Sequence, residues 1–284
     1  AIATLKEGVA SITAQVNDGR LLPAIGLGTP GLVDVRSGVV QTAVDVGWFE
    51  VPIRQMAEEA LGLKAFVANR SKVGALAELW YGAGRGLKDL IYISIGTGIA
   101  AGIVHKGELY VGANSSAGEL GHVTVLPNGP LCPCGNCGCL QQLAAGPAIA
   151  NRARERLRTG GTSILHDLSG NHPELITAQT VFQAAEQDDP LAQEIVKEVA
   201  RYLGIAIANL INLFNPELII LGGPVGRAGH VLLDPLQEEV RRRAMVYPLS
   251  VARIVTSALG PDTGAIGAAV LVLQRASELF FASR

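Results

Sequence analysis

The sequence predicts an α/β fold, and two observations carry that prediction. Apolar runs of strand length alternate with segments of helical periodicity along the whole chain. Glycine turns stand at the ends of the most apolar runs: Gly96-Thr97-Gly98 follows residues 91–95, and Gly222-Gly223 follows residues 217–221. At 284 residues, 49% apolar and 17% charged, the chain has the length and composition for a sizeable core and not for a disordered segment. A formal net charge of −2 argues against any global attraction to nucleic acid. No apolar run reaches the ~18 residues that a membrane span needs, and no secretory signal heads the sequence.

Taken in order, residues 1–18 read as an amphipathic helix with Leu5, Val9, Ile12 and Val16 on one side. Residues 24–28 form a short buried strand that runs into the tight turn Thr29-Pro30-Gly31, and Val39-Val40 marks a second strand. Pro52 suits a first helical residue and Gly62 a helix end, with Met56, Ala60 and Leu61 expected to face inward. Residues 66–69 form a strand that delivers Asn69 and Arg70 to a sheet edge. The helix after Ser71 places Val73, Leu76, Leu79 and Trp80 on one apolar face and stops near Gly82. Residues 91–95 and 99–104 form a hairpin around the glycine turn. Gly146-Pro147 opens a helix carrying Arg152, Arg154, Arg156 and Arg158, read as a solvated face. Asp189-Pro190 starts a long helix that Asn215-Pro216 ends. A buried strand over 217–221, a helix through 236–243, a strand over 252–256 and an Ala/Gly-rich helix from Thr263 complete the chain.

All four cysteines fall in Cys132-Pro-Cys134-Gly-Asn-Cys137-Gly-Cys139. Two disulfides packed so closely would strain, because bridged Cα atoms sit about 4.4–6.8 Å apart with a fixed torsion. A loop of thiolates closing on one Zn²⁺ is easier to build, and His122 is the nearest imidazole to complete a four-ligand, structural site. Spacing alone leaves Cys137 and Cys139 as rivals for the last position. Cysteines used for metal rather than for disulfides point to the cytoplasm. The strand–glycine turn–strand at 91–104 can also bring backbone N–H groups to a phosphate. Neither a P-loop nor a Gly-x-Gly-x2-Gly opening a helix is present.

The run Ile95-Gly-Thr-Gly-Ile-Ala-Ala-Gly102, with Gly107, Gly112, Gly118-Glu119-Leu-Gly-His122 and the cysteine loop, resembles the signature of the ROK family (repressors, open reading frames and sugar kinases), over residues 20–272. The resemblance implies an actin-like, ribonuclease-H-like fold of two α/β lobes: an N-terminal lobe over 1–90 and a C-terminal lobe over 91–284, with a zinc loop at 122–139. It implies zinc on His122, Cys132, Cys134 and Cys139, with Cys137 at a variable position. It implies sugar contacts from Gly31, Asn69, Glu119, His122 and Gln141, and makes Gly96, Thr97, Gly98, Gly222 and Gly223 the remnants of phosphate and adenosine loops. The matched part begins at a helix that should follow three strands of the first lobe, so an uncovered sheet edge is expected, to be covered by further residues of the natural protein or by another chain.

Three departures from the kinases of that family bear on function. Those kinases carry Asn-Asp, with the Asp as the base for the attacking hydroxyl, where this sequence has Asn69-Arg70, and a guanidinium cannot accept that proton. Their Asp-x-Gly-Gly-Thr phosphate loop has no counterpart here, and a Glu that follows their zinc loop is Gln141. No helix-turn-helix is visible in the sequence. The expectation is therefore the sugar-sensing part of a ROK-type transcriptional regulator without phosphoryl transfer. It would reach DNA only through a helix-turn-helix outside this chain, have no membrane partner, and form a homodimer or homotetramer. Arg70 would hold a fixed positive charge where a proton must be accepted, or pair with Glu119 or another nearby carboxylate to hold the empty cleft shut, or point away from the cleft as a surface arginine. The alternatives are a sugar kinase read from an incomplete chain, which alone would need ATP and Mg²⁺, and a non-catalytic sugar-binding homologue.

Overall fold

The computed structural model describes residues 2–16 and 21–275. It is an α/β protein whose strands fall into three ladders. Strands β1 (Ala24–Thr29) and β5 (Lys64–Asn69) pair in parallel, with Thr29 opposite Asn69. Strands β2 (Leu32–Asp34), β3 (Val39–Ala43) and β4 (Trp48–Val51) form an antiparallel meander in the order β2-β3-β4. The remaining strands, β6 (Leu90–Ile95), β7 (Ile99–His105), β8 (Glu108–Tyr110), β9 (Leu218–Gly222) and β10 (Arg253–Thr256), build a mixed sheet in the order β10-β9-β6-β7-β8. Central strands β6 and β9 are buried almost throughout, as their unbroken apolar sequence requires.

Helix α1 (Ile2–Gln15) forms as expected, although residues 1, 17 and 18 of the expected span lie outside the described residues. It buries no side chain: Leu5, Val9 and Val16 are half-buried and Ile12 is 59% exposed. Among the described residues β1 has a strand partner on one side only, and beside it lies a cavity lined by Ile2 and Leu5 of α1, residues 26–29 of β1, Trp48 and Ala268. Helix α2 (Ile53–Leu61) begins after Pro52 and ends at Gly62, whose φ of 67° is the left-handed turn expected there. Its fully buried residues are Ile53 and Ala57; of the three expected to face inward, Ala60 and Leu61 are half-buried and Met56 is exposed.

Helix α3 (Arg70–Tyr81) is the spine of the molecule. Ser71 through Glu78 are all buried, so it is not a one-faced helix, and Trp80 lies at its exposed end. Val73 and Leu76 pack with Phe66, Ala68 and Val270, whereas Ala75 packs on the other side with Leu90, Tyr92 and Val104. Glycines permit both approaches. A Cβ on Gly102 of β7 would lie 2.2 Å from the Ser71 carbonyl oxygen, and one on Gly267 would lie 1.8 Å from that of Val73. Gly267 belongs to the last helix of the described residues, which crosses back from the five-stranded sheet to pack on α3 and β1.

The remaining helices longer than one turn among the described residues are α4 (Gly146–Arg158), α5 (Ala178–Glu186), α6 (Pro190–Phe214), α7 (His230–Arg243) and α8 (Thr263–Gln274), the last of them. The side chain of Asp189 caps α6 by accepting from the Ala192 N–H, and Asn215 ends it with φ 45°. The arginines of α4 are not a uniformly solvated face. Arg152 pairs with Glu198 at 3.3 Å, and Arg154 donates to the carbonyls of Pro173, Glu174 and Ile176, fastening the loop before α5.

Candidate functional site

The ends of β1, β5 and β6 converge on a cleft of about 670 Å³. Gly31, Asn69, Arg70, Glu119, His122 and Gln141 line it, together with the turn Gly96-Thr97-Gly98. At the end of β5, Asn69 accepts from the backbone N–H and the hydroxyl of Ser71 (2.8 and 2.7 Å), capping α3. Its amide donates to the Gly31 carbonyl at 2.6 Å, so the same side chain pins the turn after β1. Gly31 has φ +78°, and a Cβ there would lie 2.1 Å from the Thr42 carbonyl oxygen, so only glycine fits.

The β6–β7 turn is held from both sides. Gly96 N–H donates to Gly98 O at 2.9 Å, and Gly146 N–H at the start of α4 donates to Gly96 O at 2.7 Å. Gly222 and Gly223 do not line the cleft. A Cβ on Gly222 would sit 2.1 Å from the Tyr92 hydroxyl and one on Gly223 2.5 Å from the Ile95 carbonyl, so their smallness serves packing of β9 against β6, and Pro224 reaches the cleft instead.

Glu119 is the one carboxylate lining the cleft among the described residues, and it enters through a short helical turn, Leu120–His122. Burial raises its pKa above the usual carboxylate value, and Lys72 opposes that rise. Lys72, 2% exposed on α3, is in turn lowered by burial and partly restored by Glu119. Nothing in the sequence marks this lysine, because its burial comes from packing on both sides of α3. Arg70 lines the cleft and also the cavity beside β1, and it forms no ion pair or hydrogen bond with a described residue. Arg70 thus keeps its fixed charge at the cleft, and the alternatives of a pair with Glu119 or another carboxylate and of an arginine turned away are corrected: it lines the cleft and no described carboxylate pairs with it.

Below the cleft, the ligand atoms of His122, Cys132, Cys134 and Cys139 all lie within 4.8 Å of one another. The Cys132 sulfur is 3.7 Å from His122 Nδ1, and the Cys134 and Cys139 sulfurs are 3.7 Å apart. Tetrahedral ligands at a metal–sulfur distance of about 2.3 Å are separated by about 3.8 Å, so this cluster is already at the spacing of one four-coordinate ion. Burial, followed by the neighbouring thiols of Cys134 and Cys132, pushes the Cys139 thiol up to about 12, and a bound cation removes that penalty by holding thiolates. Cys137 is exposed and outside the cluster, and its backbone pairs with Leu131. Because His122 turns Nδ1 toward the cysteines, Nε2 is the nitrogen left for the cleft. Gln141 joins the two sites: its amide N–H donates to the Cys132 sulfur at 3.6 Å, which a carboxylate could not do.

A profile of the ROK family matches residues 2–275. The chain belongs to the ROK family. It is 39% identical over 262 residues to a glucokinase of Halalkalibacterium halodurans, covering 91% of this chain and 78% of that one. It is 32% identical over 249 residues to the xylose repressor of Caldicellulosiruptor bescii, covering 88% of this chain and 62% of the repressor. The crystal structure of a ROK family glucokinase from Streptomyces griseus, in complex with glucose and AMPPNP, superposes with a TM-score of 0.85 at 33% identity, covering 94% of this chain and 87% of the kinase. The fold is thus the actin-like α/β fold of this family, and both a glucokinase and a xylose repressor stand among its relatives.

Proposed function

We propose that this chain is the sugar-binding part of a ROK-family sensor that holds a sugar in its cleft without phosphorylating it. One observation carries the reading: Arg70, without a partner among the described residues, lies in the cleft at the position that the family resemblance assigns to the catalytic base of the kinases. Around it, Glu119, His122 and Gln141 offer acceptors and donors in fixed directions, as recognition of hydroxyls demands. In this reading His122, Cys132, Cys134 and Cys139 hold one structural Zn²⁺, whose chemistry is to fix the loop and orient His122 toward the sugar. Contact with DNA falls to a helix-turn-helix that the described residues do not include. Among those residues no helix is long and apolar enough to cross a membrane, and the unbridged cysteines suit a reducing cytoplasm. Exposed Leu213, Met245, Val246 and Tyr247 form an apolar surface at the end of α6, which supports a homodimer or homotetramer.

A second reading, an ATP- and Mg²⁺-dependent sugar kinase of the glucokinase type, is favoured by the 39% identity to a glucokinase of which this chain covers 78%. It would need a phosphate-binding hairpin outside the described residues, with Glu119, raised by burial, as the remaining carboxylate to accept the hydroxyl proton. Calorimetry with a panel of hexoses, pentoses and N-acetylated sugars tests the proposal. At least one should bind, and Glu119→Ala should weaken it by about tenfold or more. A full panel without binding would refute it.

A further inference from the structure

The two walls of the cleft belong to different parts of the chain. Gly31, Asn69 and Arg70 follow β1 and β5, whereas Glu119, His122 and Gln141 come from the side of the five-stranded sheet. A ligand that touches both walls binds only as well as their relative position allows. Among the described residues the chain passes between the two sides twice. Residues 82–89 lead from α3 into β6, and residues 257–262 lead from β10 back into α8, which packs on α3 and β1.

One side chain joins the two crossings. Glu78, near the end of α3, is 0% exposed and forms no ion pair among the described residues. One of its carboxylate oxygens accepts from the Ser257 hydroxyl at 2.5 Å, and the other accepts from the Ala83 N–H at 3.0 Å. Ala83 lies on the first crossing, and Ser257, 179 residues away from Glu78 in sequence, opens the second. The first crossing also wraps on the backbone of Glu78: the N–H groups of Gly82 and Gly84 donate to its carbonyl at 3.1 and 3.0 Å. A Cβ on Gly82 would lie 2.0 Å from Glu78 Oε2, so that approach needs glycine. The second crossing is tied to β9, where the Ser257 N–H donates to the Leu221 carbonyl at 2.8 Å. A buried carboxylate without a cation is a poor way to gain stability, so its use at this junction points to placement rather than to packing.

We propose that Glu78 is a positioning residue for the ligand cleft: its carboxylate clamps the two crossings together and so fixes the spacing of the two walls. It acts through the walls and touches no ligand. Only the effect on affinity rests on the sugar-binding reading, because the clamp joins the crossings whatever the cleft holds.

The test is hydrogen exchange, then calorimetry, on the intact protein and on Ser257→Ala, which removes one donor and leaves the carboxylate in place. Without sugar, Ser257→Ala should speed exchange of the amides of residues 82–89 by about tenfold or more, although the substitution lies on the other crossing. Val199→Ala, buried on α6 and outside the cleft lining, should leave those amides unchanged. In titrations with glucose, xylose and N-acetylglucosamine, a sugar that binds the unmodified protein should bind Ser257→Ala about fivefold to tenfold more weakly and Val199→Ala equally well. Glu78→Gln, whose amide donates to the Ser257 hydroxyl while its oxygen keeps the Ala83 N–H, should stay within about twofold of the unmodified protein in both readouts. Faster exchange confined to residues 257–262, or unchanged affinity in Ser257→Ala, would overturn the clamp and leave the sugar-binding reading in place. So would a Glu78→Gln protein as loose as Ser257→Ala. Absence of binding by any sugar would instead overturn the sugar-binding reading, and exchange at residues 82–89 would still decide whether Glu78 clamps the crossings.

Discussion

Glu119 and Lys72 each carry a charge that their surroundings oppose. Burial raises the carboxyl above its ordinary 4.5 and lowers the amine below its ordinary 10.5. Taken singly, the raised carboxyl contributes stability that is present below 4.5 and lost as pH rises through its folded-state value. The lowered amine contributes stability that is present above 10.5 and lost as pH falls through its own. Near neutrality both desolvation costs are felt, and the mutual attraction offsets part of them. A double-mutant cycle with Lys72→Met and Glu119→Gln, followed by urea unfolding at pH 7, should give an attractive coupling of roughly 0.5–3 kcal/mol. The coupling should fade on acidification at a pH above 4.5, because the carboxyl is raised. Additive effects would show that the two groups do not share a field. The Cys/His cluster gives a sharper expectation: if it holds zinc as proposed, Cys139→Ser should lose the metal and Cys137→Ser should keep about one equivalent per chain by elemental analysis. Equal loss would refute the ligand set. That set was legible as a resemblance and only half legible as spacing, because Cys134 and Cys137 are also spaced as a zinc knuckle. What the spacing could not convey is that Cys137 is turned out by its backbone bridge to Leu131.

At the scale of elements, α3 sets the tolerance of the fold. It is packed on both faces, and the glycines that let neighbours approach it should not accept a side chain. Gly267→Ala, with its Cβ 1.8 Å from a carbonyl oxygen, should destabilise by about 1–3 kcal/mol or more in thermal or chemical unfolding. Gly264→Ala, on the same helix with nothing within 4 Å, should be neutral or stabilise by up to about 1 kcal/mol. The reverse ranking would contradict the sandwiched position of α3. Elements with a local chemical signal were legible in the sequence: the Asp189 cap, the Asn215 stop, the Gly62 end and the β6–β7 hairpin all stand where their residues require. Short strands such as β2 and β8, each of three residues, carry too little periodicity to read, and helix α5 is shorter than the windows in which periodicity is clear. The inward face of α2 and the full burial of α3 depend on partners far away in sequence, which local pattern does not record.

For the molecule as a whole, the sheets on either side of α3 leave a cleft in which Glu119, His122, Gln141, a glycine turn and Arg70, which has no partner among the described residues, meet beside a Cys/His cluster able to hold a metal ion. Relatives of the chain include glucokinases and a xylose repressor, so ancestry alone does not decide between transfer and sensing. We propose that position 70 decides for sensing, because a guanidinium stays protonated at every pH at which a sugar hydroxyl must lose its proton. Removing a general base typically costs about 10²–10⁴ in rate. The direct measurement is sugar-dependent release of ADP from ATP and Mg²⁺ by the intact protein, in the presence of a sugar shown to bind. No release above the sugar-free background is expected, with binding intact. Release that depends on the sugar and disappears in Glu119→Ala would contradict it and make the protein a kinase.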